Sequence, residues 1–114
     1  MSALLLAAAV AAAAAPAERP LTAPGPLAPL SATWLDAGKR APVVVIIPGS
    51  GPTDRDGNNP MGVTAASYRL LAESLAKRGI SSVRIDKRGM FGSKAAIANG
   101  NDVTIAAYAA DAHA

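Results

Sequence analysis

Val43-Val44-Val45-Ile46-Ile47-Pro48-Gly49-Ser50-Gly51-Pro52-Thr53-Asp54-Arg55-Asp56-Gly57-Asn58 is the stretch that decides the fold. Its first five residues are all β-branched, carry no polar alternation and stop hard at Pro48-Gly49. Such a run predicts a strand covered on both faces, as in a parallel sheet. Parallel neighbours need a crossover, and the next segment provides one. Across residues 64–78, Tyr68, Leu71, Ala72, Leu75 and Ala76 recur at three- and four-residue steps, while Arg69, Glu73 and Lys77 line the other side. That spacing predicts an amphipathic helix, with Glu73 four residues before Lys77 and Gly79 as its stop. Leu70 falls on the polar side and is the one misfit. Residues 80–86 then predict a second strand of the same sheet, which completes a right-handed βαβ unit.

Working outward, Leu30 to Leu35 predicts a half-buried strand that ends at the turn-prone Asp36-Ala37-Gly38-Lys39. Residues 87–92 read as a loop and Asn99-Gly100 as a turn; Asp102 or Thr104 then caps a last helix carrying Ile105, Tyr108 and Ala109. At the other end, residues 4–15 are an unbroken run of Leu, Val and Ala, followed by Ala15-Pro16-Ala17 and the first charges, Glu18 and Arg19. The pattern predicts a signal peptide over residues 1–17, cleaved after Ala17, and so an exported protein, periplasmic or secreted. No Lys or Arg stands near Met1. The run is too short for a membrane span, so no stable span is expected after cleavage. Pro20, Pro24, Pro26 and Pro29, with Gly25, predict a Pro-rich extended arm over residues 18–29, with regular structure only from residue 30.

The chain has 114 residues, a net charge of +3 and 51% hydrophobic residues, enough for one domain and too apolar for disorder. It has no cysteine, which excludes disulfides, thiolate metal sites and a cysteine nucleophile within these residues. The one histidine, His113, stands second from the end, so no Ser-His-Asp or His-rich metal constellation is expected. Basic residues are scattered and the aromatics are only Trp34, Tyr68, Phe91 and Tyr108, against a nucleic-acid surface.

The loop after residue 47 lies where open α/β sheets place their sites, at the carboxyl end of a strand. Its glycines allow sharp turns that present backbone N–H groups, so it reads as an oxyanion hole, a phosphate cradle, or simply a tight turn between strand and helix. A dinucleotide fingerprint would need a third glycine where Asp54 stands, and a P-loop at Gly38-Lys39 would need a Ser or Thr where Arg40 stands. Asp54 and Asp56, closely spaced with the lone Arg55 between them, read as solvated or Asx-turn residues rather than a calcium loop.

Two loops together resemble a known family. Pro48-Gly49-Ser50-Gly51, within the longer string P-G-S-G-P-T-D-R-D-G-N, and Asp86-Lys87-Arg88-Gly89-Met90-Phe91-Gly92-Ser93 resemble the front half of an α/β-hydrolase, in the bacterial secreted esterase and serine-aminopeptidase-like branch. In that family a glycine turn follows the third strand and a D-x-R-G-x-G-x-S-like loop follows the fourth. Proline replaces the usual histidine at Pro48, and Met90-Phe91 lengthens the second loop by one residue. The resemblance implies an α/β fold: the amino-terminal part of an α/β-hydrolase over residues 30–114, with a mostly parallel sheet. It implies that the backbone N–H of Ser50 is an oxyanion donor, that Gly49, Gly51, Asp86, Arg88 and Gly89 shape the loops, and that the substrate is a small ester or acyl compound, with no cofactor or metal.

A hydrolase of this kind carries its nucleophile on G-x-S-x-G after the next strand, then an acid and a histidine. No G-x-S-x-G occurs in the 114 residues, and His113 stands too early in chain order for the triad. The expectation is an amino-terminal fragment of a serine hydrolase that holds the oxyanion loop but not the nucleophile. A noncatalytic binding module and a phosphate- or nucleotide-binding βαβ domain are the alternative readings. The leader carries its own test: intact mass of the exported protein is expected to begin at Glu18, and a mass that retains Met1 would refute the cleavage.

Overall fold

A computed structural model describes residues 17–114, so the predicted leader, apart from Ala17, lies outside the described residues. Four strands form one sheet: β1 (Glu18–Ala23), β2 (Leu30–Leu35), β3 (Val43–Ile46) and β4 (Ser81–Ile85), in the spatial order β1-β2-β4-β3. Helix α1 (Ser67–Lys77) joins β3 to β4, and helix α2 (Ile105–His113) follows two short 3₁₀ turns at Phe91–Ala96 and Gly100–Asp102. β3 and β4 pair in parallel, with Val43 opposite Ser81 and Ile46 opposite Arg84, so the expected βαβ unit is present. The sheet as a whole differs from the expectation of a mostly parallel one. β1 pairs with β2, and β2 with β4, both antiparallel, which leaves one parallel ladder among three in the described residues.

Two expectations from the sequence are corrected by this pairing. Residues 18–23 are extended as expected, but regular structure starts there, not at residue 30: β1 runs in full register along β2, from Glu18 opposite Leu35 to Ala23 opposite Leu30. Pro20 is tolerated because β1 is the sheet's outer strand, where a missing N–H breaks no second ladder. The β-branched run of β3 is not covered on both faces. β3 is the other outer strand among the described residues; Val43, Val44 and Val45 are exposed and Ile46 alone is buried.

Strand alternation places Thr33, Leu35, Ile46, Ser82 and Arg84 on one face of the sheet. Here α1 packs, closing a small core of Leu35, Ile46, Ala72 and Ala76, with Tyr68 and Ala37 against it. The opposite face carries Leu21, Trp34, Val45 and Val83, and is bordered by the last turn of α2.

Helix α1 is shorter than the predicted 64–78. Ala66 adopts a left-handed φ of 51°, which breaks the helix on its amino-terminal side, and no side chain caps it. Instead the carbonyl of Asp56 accepts from the amides of Tyr68 (3.1 Å) and Arg69 (3.4 Å). At the other end Gly79 stops the helix as expected: its amide donates to Ala76 and that of Ile80 to Leu75, the paired bonds of a Schellman cap. The Glu73 partner is Arg69, at 4.0 Å, in place of the expected Lys77. Thr104 is the cap of α2, its hydroxyl accepting from the Ala107 amide at 3.1 Å.

Gly57 makes the approach of the loop to α1 possible. Its φ is +87°, and a Cβ there would lie 3.1 Å from the Tyr68 amide nitrogen and 2.8 Å from Ser67 Oγ. Gly57→Ala is therefore expected to cost roughly 2–4 kcal/mol, from left-handed strain and crowding together. Denaturant unfolding of the intact natural protein checks this; an unchanged midpoint would refute the packing.

Candidate functional site

The site lies at the carboxyl ends of β3 and β4, where the loop after each strand meets the other. Asp86, the first residue after β4, is 3% exposed. Its carboxylate accepts from the Arg55 amide (2.9 Å), from Arg55 Nη2 (2.7 Å) and from the Gly92 amide (3.1 Å). Arg55 also donates to Thr33 Oγ1 (3.0 Å) and Ser31 Oγ (2.5 Å), so one guanidinium links the first loop, strand β2 and the second loop. Ser93 closes the same circuit, accepting from the Ser31 amide (2.9 Å) and donating to the Asp86 carbonyl (2.7 Å).

The first loop is held from within by Asp54, whose Oδ1 accepts from the amides of Asp56 (2.8 Å) and Asn58 (2.9 Å). This is an Asx arrangement, and it occupies the carboxylate locally. Asn58 Oδ1 in turn accepts from the Ala66 amide at 2.8 Å, fixing the start of α1.

The glycine turn sits at the rim. Gly49, Ser50 and Gly51 are exposed, Pro48 is buried beneath them, and Gly51 has a φ of +79°. The Gly49 amide donates to Tyr68 Oη at 3.4 Å. The amides of Ser50 and Gly51 meet no acceptor among the described residues. From below, Lys87 Nζ donates to the carbonyls of Gly49 (2.5 Å) and Gly51 (2.9 Å). Lys87 is 3% exposed, and the Tyr108 ring lies 5.8 Å from its ammonium. Burial holds its pKa below the ordinary lysine value. Ile47, Pro48, Ser50, Lys87, Ile105 and Tyr108 line an open cavity of about 370 Å³ beside the turn.

Arg88 turns away from this cavity. It makes a bidentate pair with Asp111 of α2, at 3.0 and 2.6 Å, which pins the last helix to the second loop. The hydrogen bonds to Asp111 raise the guanidinium pKa further, so Arg88 stays charged at any working pH. Gly89, at φ +84°, lets the loop pass the Gly100 backbone: a Cβ would lie 3.0 Å from Gly100 Cα. Phe91 follows at a φ of 44°, a conformation uncommon for a bulky residue.

Asp86, Arg88 and Gly89 thus stand in the framework of the two loops, and Gly49, Ser50 and Gly51 at the cavity. His113 ends α2 and is exposed. Sequence reasoning missed Arg55 and Lys87. Arg55 stands between two aspartates, and its partners lie 22 to 31 residues away in the chain. Lys87 stands inside D-K-R-G, where nothing local marks it as buried.

No group of three or more His, Cys, Asp or Glu residues able to hold a metal ion occurs among the described residues, and no described helix is long and apolar enough to cross a membrane. No family model, curated protein or solved structure matches the chain.

The Asp86 circuit generates a stability prediction. Asp86→Ala strands the Arg55 guanidinium and the Gly92 amide, and is expected to cost about 3–5 kcal/mol. Denaturant unfolding of the intact natural protein measures it, and a loss below about 1 kcal/mol would show the pair to be no more than a surface contact.

Proposed function

We propose that this chain supplies the oxyanion-hole loop of an exported α/β-hydrolase that cleaves ester or related acyl bonds through an acyl-enzyme. The observation that carries the reading is the Ser50 amide, unpartnered beside an apolar-walled cavity in the loop joining β3 to α1. In α/β-hydrolases one oxyanion donor comes from the loop after the third strand. With β1 counted, the glycine turn follows the third strand of this chain and the Asp86 loop follows the fourth, the positions that the resemblance implies.

Attack of a serine hydroxyl oxygen on the acyl carbon, its proton passing to the histidine that then serves as general acid, moves the carbonyl π pair onto oxygen. An N–H aimed at that oxygen holds the resulting charge more strongly than it holds the neutral carbonyl, so it lowers the barrier. Collapse of the adduct expels the alcohol with a proton from the general acid, and water then releases the acid by the same route. In this reading the nucleophile, the acid and the histidine lie on residues beyond these 114. Ile47, Pro48, Ile105 and Tyr108 give the acyl part an apolar wall.

The phosphate-cradle reading is weaker on one observation. Two first-turn amides of α1, those of Tyr68 and Arg69, already donate to the Asp56 carbonyl and are withdrawn from any anion.

Ser50→Pro in the intact natural protein is expected to lower kcat about a hundredfold or more, by removing the N–H, whereas Ser50→Ala keeps it and stays within a few-fold of wild type. A fluorophosphonate is expected to label a serine outside residues 1–114. Unchanged turnover in the proline variant, or no labelling at all, would overturn the reading.

A further inference from the structure

Gly49 C=O and Ser50 N–H are the two ends of one peptide unit. The described chain has no cis peptide bond, so in this unit the oxygen and the amide hydrogen point in opposite directions. The oxygen is held by Lys87 Nζ at 2.5 Å. The position of the cation therefore fixes the direction of the N–H. The neighbouring Gly51 N–H belongs to the peptide whose carbonyl is that of Ser50, and Lys87 does not touch it; the second carbonyl bound by Lys87, that of Gly51, precedes Pro52 and has no N–H behind it.

Building on the oxyanion reading above, we infer that Lys87 is a positioning residue for catalysis, one that aims and polarises the Ser50 N–H through the Gly49 carbonyl. A cation on the carbonyl oxygen draws electron density from the amide and strengthens its N–H as a donor, the cooperative effect of chained hydrogen bonds. Burial strengthens the interaction, since Lys87 is 3% exposed and forms no ion pair with a carboxylate among the described residues. Nζ has three N–H groups; two are spent on the glycine turn and Tyr108 lies beside the cation at 5.8 Å, so the main hold of Lys87 is on the peptide of the turn.

The test uses the intact natural protein with an ester substrate and an aryl boronate, whose tetrahedral adduct places a negative oxygen where the oxyanion forms. Lys87→Met is expected to lower kcat roughly ten- to a hundredfold, with KM within about twofold of wild type, and to weaken boronate binding by a similar factor. Lys87→Gln, which keeps a neutral donor for the Gly49 carbonyl, is expected to fall between the two, and it carries the test if the methionine variant does not fold. Equal losses in kcat and KM-governed binding, or a folded glutamine variant at wild-type kcat, would overturn the inference. A loss in Ser50→Pro with none in Lys87→Met overturns the role of Lys87 alone; no loss in either overturns the loop's catalytic role and this inference with it.

Discussion

A carboxylate almost without water must be fully hydrogen-bonded, and the loops of this protein are organised by how Asp86 meets that demand. Its three donors come from two loops, and its main partner, Arg55, gives two further N–H groups to the hydroxyls of Ser31 and Thr33 in β2. Removing water from an ion pair is costly, so such a pair persists only where its other lone pairs and protons find partners. Here the buried carboxylate does, and the by-product is rigidity. The loop after β3 cannot move without breaking charge-assisted bonds to β2 and to the loop after β4. That fixes the glycine turn at the rim of the cavity, although the turn itself makes few contacts.

Four cations lie in or near the interior, and they are compensated in three ways. Arg55 and Arg88 each have a buried carboxylate. Arg84, 2% exposed, reaches two carboxylates at the surface, Glu18 at 2.8 Å and Asp56 at 3.4 Å, and leaves Nε and Nη1 without partners. Lys87 has only neutral oxygens and a ring. The difference matters for the cavity. A carboxylate beside Lys87 would cancel its field, whereas backbone carbonyls leave the positive charge uncancelled. The site therefore keeps a net positive bias without a cation exposed to solvent.

The elements decided by local pattern were legible in the sequence. The period of Tyr68, Ala72, Leu75 and Ala76, with Gly79 beyond them, marked α1 and its end; the β-branched run marked β3; alternation around Val83 and Ile85 marked β4. What was not legible depends on partners distant in the chain. β1 reads as an arm because Pro20 argues against a strand unless the strand is known to be an outer one. β3 reads as doubly covered because composition reports what a strand can tolerate, not what lies beside it in these residues. The glycine turn and the Asp86 loop were visible as motifs, but the residues joining them, Arg55 and Lys87, gain their roles only when the sheet brings the two loops together. The helix start was misplaced by the left-handed Ala66, a position where an L side chain gives no warning.

The bond between Glu18 and Arg84 spans 66 residues, from the outermost strand to the centre of the sheet. Contacts this distant close late, because the intervening chain must lose its freedom first. β1 can join β2 as a simple hairpin as soon as residue 35 exists, yet its anchoring charge has no partner until β4 has formed beside β2. Glu18 thus ties the outermost strand to the centre of the sheet, and a chain cut between β1 and β2 would leave the Arg84 guanidinium with Asp56 as its one carboxylate among the described residues.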